Sequence, residues 1–215
     1  MSHLISIENL SFGYHKTPKL LNSLNLSIDE PGIYEIFGSN GSGKTTFITI
    51  LAGLVENYSG KVEIFDIDIK YSKSYKIQCG FCLDPSFLID KLKVREYLEF
   101  VGVICRLNMS DIKNRTRFLS NMLGIDDKQD SLIESLSTGE KIKVCLSAAL
   151  LNDPRLIVLD EPFAHLDSDS MNNLKDYLID NESSKTIIYT SPSEEICSLR
   201  HRMIFKIING VLILE

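Results

Sequence analysis

Gly38-Ser39-Asn40-Gly41-Ser42-Gly43-Lys44-Thr45 decides how this chain is read. The stretch has the spacing G-x-x-x-x-G-K-[ST] of a phosphate-binding loop, and its flanks suit that geometry. Ile33-Tyr34-Glu35-Ile36-Phe37 before it reads as a buried strand, and Thr46 to Gly53 after it as an apolar helix. Glycines between strand and helix let the backbone curl so that successive N–H groups converge on an anion. The helix start adds the positive end of its dipole. Lys44 is expected to bridge the β- and γ-phosphates of a nucleotide, and the Thr45 hydroxyl to ligate Mg²⁺. The bland alternative is an ordinary glycine turn into a helix. A chance match in a chain of this length is on the order of one in a hundred before the flanks are counted.

Composition narrows the setting. The chain has 215 residues, 44% of them hydrophobic and 24% charged, with a net charge of -6. That suits one globular unit with a sizeable core. An acidic chain without a long Lys/Arg run is a poor match for a nucleic-acid backbone, so no nucleic-acid partner is expected. No apolar run approaches the ~20 residues of a membrane span. Met1-Ser2-His3-Leu4 shows no leader pattern, and the expected location is cytoplasmic. The five cysteines are scattered, which suits reduced thiols. Cys79-Gly80-Phe81-Cys82 has C-x-x-C spacing, but in a strand positions three apart face opposite ways, so a core role is expected for both.

Strands are expected at Leu4–Ile7 running on to Tyr14, at Leu24–Ile28 and at Lys61–Phe65, with Asp66–Ile69 continuing the last. Another is expected over Ile77–Leu83. From Val94 the apolar spacing becomes helical, through Leu98, Val101 and Cys105 and again through Ile112, Leu119, Met122 and Leu123, until Gly124 ends it. Residues 84–135 therefore read as a helical insertion between two halves of a nucleotide-binding core. Phe87-Leu88-Ile89, an apolar triplet in a loop, suits either a docking surface or packing within that insertion. The chain closes with a hairpin around Asn209-Gly210, a type I′ turn signal.

Two further motifs carry chemistry. Leu156-Ile157-Val158-Leu159 reads as a buried parallel strand that delivers Asp160 and Glu161 to its carboxyl end, where ligands bind in open α/β sheets. There Asp160 can hold Mg²⁺ and Glu161 can orient or deprotonate an attacking water. Leu136-Ser137-Thr138-Gly139-Glu140 opens an amphipathic helix and offers a hydroxyl and a glycine N–H to an anion, with Ser137 or Thr138 also able to serve as its N-cap. A second anion site makes sense if it serves another molecule's nucleotide.

Together these motifs resemble those of the ATP-binding-cassette (ABC) ATPases, the nucleotide-binding subunits of ABC transporters, over nearly the full length. Gly38–Thr45 resembles Walker A, Leu156–Glu161 Walker B, and Ala164-His165-Leu166-Asp167 the D-loop. Leu136–Glu140 resembles the LSGGQ signature, with Thr138 and Glu140 as departures. The resemblance implies an α/β fold: a P-loop NTPase core with a β-rich N-terminal subdomain and the helical insertion, as one domain over 1–215. It implies an ATPase that binds ATP and Mg²⁺. The nucleotide-binding residues would be Tyr14, stacked on adenine, then Gly38, Ser39, Asn40, Gly41, Ser42, Gly43, Lys44, Thr45 and Thr46, with Ser137 and Gly139 on a partner's nucleotide. It also implies a head-to-tail homodimer or heterodimer with a second cassette, coupled to an integral-membrane subunit and placed peripherally on the inner face of the cell membrane.

Two family residues are replaced. Asp84 stands where the family has a Gln that touches Mg²⁺ and the attacking water; its carboxylate still offers the metal a hard oxygen. Pro192 stands where a switch His is expected, and proline can neither donate nor titrate. Slow intrinsic hydrolysis is the consequence expected. All four histidines, His3, His15, His165 and His201, read as surface or packing residues, with His165 in the D-loop as the alternative donor across the dimer. Three other readings compete: a soluble ABC-type ATPase, a small P-loop kinase, for which no arginine-rich lid is visible, and a slowly hydrolysing ATP-dependent clamp.

Overall fold

The computed structural model describes residues 3–14, 19–192, 199 and 203–214. Cys197, His15 and His201 lie outside them. The first sheet has four antiparallel strands in the order β2-β1-β4-β5, formed by β1 (Ile5–Phe12), β2 (Leu21–Ile28), β4 (Ser59–Ile64) and β5 (Ile67–Asp68). The second has six, in the order β10-β9-β3-β8-β7-β6. Its members are β3 (Gly32–Phe37), β6 (Cys79–Cys82), β7 (Leu156–Leu159), β8 (Thr186–Ser191), β9 (Met203–Ile208) and β10 (Val211–Leu214).

Strands β6, β7, β8, β3 and β9 run parallel, and only β10 is antiparallel to its neighbour. In register, Cys82 faces Leu159, Leu159 faces Tyr189, and Phe37 faces Ser191. The carboxyl ends of β6, β7, β8 and β3 are thus level, and each empties into a segment singled out above: Asp84, Asp160, Pro192 and Gly38. That edge is where an open parallel sheet binds ligands.

Strand alternation divides the core in two. Tyr34, Ile36, Val158 and Ile188 turn toward the first sheet and helix α1 (Lys44–Leu51). Ile33, Ile157, Leu159, Ile187 and Tyr189 turn toward the helices on the other face. These are α2 (Val94–Ile104), α3 (Met109–Leu123), α4 (Thr138–Leu150) and α5 (Ser168–Asn181). Cys79 belongs to the first core and Cys82 to the second, the opposed facing expected for the C-x-x-C pair. Burial pushes the Cys79 thiol up to about 12, which suits packing rather than reactivity.

α4 lies directly on β6. A Cβ added to Gly80 would come within 1.8 Å of the Ala149 carbonyl oxygen, so only glycine admits this approach. α2 and α3 fall inside the helical stretch read from 84–135, and Gly124 caps α3 in the left-handed region at φ 63°. Asn209 and Gly210 turn the final hairpin with φ 50° and 78°, the signs of a type I′ turn.

The structure corrects one expected strand. Asp66–Ile69 does not continue β4. Phe65 and Asp66 both take positive φ, 55° and 60°, and reverse the chain. β5 then returns antiparallel, with Ile67 opposite Ile64. Phe-Asp is not an ordinary pair for such a turn, and so the reversal carries no turn signal in the residues. The strand expected over Ile77–Leu83 is trimmed to β6 by a tight 3₁₀ turn at Ser74–Gln78.

Candidate functional site

The phosphate loop leaves β3 and enters α1 through Gly41 and Gly43, with φ 81° and 109°. Gly43 is the helix N-cap and offers no side chain to the first turn, which also contains no acidic residue. α3, α4 and α5 are each capped by a side chain: Asn108, Ser137 and Asp167. The first N–H groups of α1 are therefore left for an anion. A cleft of about 350 Å³ lies over them, lined by Asn40, Gly41, Gly43, Lys44, Thr45, Thr46, Leu20 and Glu161. A second, of about 850 Å³, takes in Tyr14, Ser39 and the rest of the loop. A further cleft of about 800 Å³ runs beside α3, but it has no glycine cradle and none of the motif residues.

Lys44 is 4% exposed. Its Nζ donates to the Gly38 carbonyl at 2.7 Å and lies 3.4 Å from Glu161 Oε1. The lysine and the strand-end glutamate of separate motifs thus meet at one point. Buried Ser42 Oγ has no hydrogen-bond partner among the described residues, as suits a loop shaped to receive a polar group. Tyr14 packs edge-on against Phe12, and its hydroxyl lies 3.4 Å from Thr46 Oγ1, at the rim of the loop.

Asp160 is anchored twice. Its N–H donates to the Cys82 carbonyl on β6, and its Oδ1 accepts the Thr190 hydroxyl at 2.5 Å. The same Thr190 Oγ1 accepts the Glu161 N–H at 2.9 Å, holding Glu161 at φ 45°. Thr190 is buried at the end of β8 and was not singled out from the sequence. A hydroxyl directly after the run Ile187-Ile188-Tyr189 is the one signal that points to it. Glu35, within β3, is a second omission: 1% exposed, it accepts the Ser191 hydroxyl at 2.5 Å just before Pro192. We expect Thr190→Val to cut phosphate release roughly tenfold or more, because a buried donor and acceptor are lost together. Thr190→Ser should restore it, because its hydroxyl keeps both bonds; full activity in Thr190→Val would contradict this role.

Asp84 is placed differently from Asp160. Its Oδ1 accepts the Ser86 N–H at 2.7 Å and so caps a 3₁₀ turn at Pro85–Phe87. Hydrogen bonds from the Ser86 side chain and backbone hold its carboxyl below the usual range. Among the described residues no three His, Cys, Asp or Glu side chains gather as a metal site. Mg²⁺ does not require that: it prefers oxygens, keeps several waters and takes one or two protein ligands beside substrate phosphates. Thr45 and Asp160 fit that demand. In the apolar triplet Leu88 is buried, while Phe87 and Ile89 are exposed. No helix among the described residues is long and apolar enough to cross a membrane.

The parallel sheet edge and the glycine cradle define a phosphate-loop nucleotide-binding protein. Comparison with known proteins narrows the class. The family profile described as "ABC transporter" matches residues 21–164. The "Putative hemin import ATP-binding protein HrtA" of Staphylococcus saprophyticus is 32% identical over 181 residues, covering 82% of this chain and 81% of that protein. The "ABC transporter A family member 5" of Dictyostelium discoideum is 33% identical over 192 residues, covering 87% of this chain but only 12% of that protein. In fold, the chain superposes on the ATP-binding cassette MJ0796, a dimer in a post-hydrolysis state bound to ADP and Pi, with a TM-score of 0.88 at 22% identity, covering 98% and 97% of the two chains. This chain belongs to the ABC transporter family.

Proposed function

We propose that the chain is the ATP-binding and ATP-hydrolysing cassette of an ABC transporter, a single domain with its helical insertion over 84–135. The observation that carries this reading is the meeting of Lys44 and Glu161 over the uncapped start of α1. Tyr14 takes the base, and Gly38, Ser39, Asn40, Gly41, Ser42, Gly43, Lys44, Thr45 and Thr46 take the phosphates. Mg²⁺, when bound by Thr45 and Asp160, neutralises charge between the phosphates. Asp84 offers the metal its second carboxylate oxygen, since the cap on Ser86 engages Oδ1. Glu161 positions water for attack on the γ-phosphorus.

Ser137 and Gly139 face the nucleotide of a second cassette, and the pair of cassettes closes around ATP. The dimeric state of MJ0796 supports this arrangement. Exposed Phe87 and Ile89 suit contact with an integral-membrane subunit, which would hold the cassette on the inner face of the membrane.

Hydrolysis by the chain alone is slow. Phosphoryl transfer is mostly positioning and electrostatics. A transition-state hydrogen-bond donor at the γ-phosphate is worth ~10²–10³ in rate, and Pro192 cannot supply one. Steady-state phosphate release should rise in Pro192→His, and further with Asp84→Gln. Turnover on the order of 1–10 s⁻¹ in the unaltered chain, the ordinary range of enzymes, would overturn the slow reading. If His165→Ala then abolished that turnover, His165 would be the replacement donor.

A further inference from the structure

The opening turn of α4 carries a feature that the nucleotide-sandwich reading does not use. Ser137 caps the helix by accepting the Glu140 N–H at 3.3 Å, and the Glu140 carboxylate turns back on it. Glu140 Oε2 accepts both the Ser137 N–H and the Ser137 hydroxyl, each at 2.8 Å. Its other oxygen, Oε1, lies 3.2 Å from Lys128 Nζ. The group is fixed on three sides by its own chain, and Lys128 reaches it from the 3₁₀ turn at Asp126–Lys128.

A serine hydroxyl has one proton. Here that proton is directed at a carboxylate, the stronger kind of acceptor. A phosphate oxygen approaching Ser137 needs the same proton. It also meets a fixed negative charge where the helix dipole alone would be positive. Those hydrogen bonds and Lys128 hold the Glu140 carboxyl down at about 2, so the charge persists across the working range. The backbone N–H of Gly139 is left as a donor. It cannot withdraw by a local shift, because Gly139 is packed so that an added Cβ would lie 2.7 Å from the His165 carbonyl oxygen.

We infer that Glu140, its charge partly offset by Lys128, is a latch on Ser137 that makes this chain's face toward a partner's nucleotide a weak one, so that two copies close around ATP only at high nucleotide concentration. This rests on the reading of Ser137 and Gly139 as the partner-facing anion site. Glu140 is a positioning residue, since it acts through Ser137. The device works by repulsion rather than by a missing contact, a familiar means of restricting pairing. Closure then depends on the Ser137 hydroxyl turning from the carboxylate to the phosphate. A neutral amide at position 140 lowers the cost of that exchange and keeps the cap, because Gln serves a capping box as Glu does.

The test uses the full chain carrying Glu161→Gln, which binds nucleotide without turning it over. Light scattering coupled to gel filtration is followed across an ATP-Mg titration, with and without Glu140→Gln and Lys128→Ala. Glu140→Gln should lower the ATP concentration for half-dimerisation roughly tenfold, the scale of one charge-assisted hydrogen bond. Lys128→Ala should raise it, because the carboxylate loses its counter-charge. Thermal melting and affinity for a fluorescent ATP analogue in the monomer should stay unchanged in both, which separates a latch from a merely structural cap. A midpoint unchanged or raised by Glu140→Gln overturns the latch and leaves the sandwich reading intact. Nucleotide binding with no dimer in any variant at saturating ATP overturns the pairing of two copies of this chain, and the latch with it, and leaves a sandwich with a different second cassette as the reading.

Discussion

Glu161→Gln will lower phosphate release by ~10²-fold or more while leaving ATP bound, the loss typical of a missing general base. The substitution is nearly isosteric and removes a charge that the fold does not depend on. Glu161 is held through its backbone, by the bond from its N–H to Thr190 Oγ1 and by its carbonyl accepting the Ala164 N–H. Among the described residues its side chain pairs with Lys44, at 3.4 Å. Removing that pair also frees Lys44 for phosphate, so affinity for ATP should hold or rise. Single-turnover hydrolysis in parallel with equilibrium nucleotide binding separates the two effects. Equal single-turnover rates for Glu161→Gln and the unaltered chain would show that another group activates the water.

Gly80→Ala will destabilise the fold severely. The added methyl would stand 1.8 Å from the Ala149 carbonyl oxygen and 2.9 Å from Pro154 Cγ. No rotamer relieves a Cβ clash, so α4 must move away from β6. Small-to-large substitutions in packed cores typically cost 1–3 kcal/mol and occasionally more, and a contact with backbone belongs at the upper end. The displaced helix carries Ser137 and Gly139, and the displaced strand leads to Asp84. Urea unfolding should show a midpoint far below that of the unaltered chain, if folded protein is obtained at all. A midpoint within experimental error of the unaltered chain would mean that α4 does not lie on β6 as closely as described.

Much of this was legible in the sequence because each motif sits at the end of a strongly patterned element. Leu156–Leu159 is apolar throughout since β7 is buried on both faces, and that pattern alone delivers Asp160 and Glu161 to the sheet edge. The Gly41 and Gly43 conformations follow from a loop that must curl between β3 and α1. The less legible features depend on pairs distant in sequence. Thr190 looks like an ordinary strand residue until β8 is set beside β7, when its hydroxyl reaches both Asp160 and Glu161. Lys128 acquires meaning only when a turn twelve residues upstream folds against Glu140. The reversal at Phe65-Asp66 was hidden for another reason: packing of β5 on β4 overrides residues that do not favour such a turn. Asp84 shows the converse, a strand-end carboxylate drawn into a local cap by Ser86.

We propose that Gly38–Thr45 binds the phosphates of ATP. Titration of a fluorescent ATP analogue into the unaltered chain and into Lys44→Ala, with Mg²⁺ present, tests it most directly. Lys44 is buried beside the cleft and places its ammonium group at the mouth of the loop. Its loss should therefore weaken binding roughly tenfold or more, on the scale of a hydrogen bond to a charged group. An analogue that binds both proteins with the same affinity would contradict the assignment of this loop.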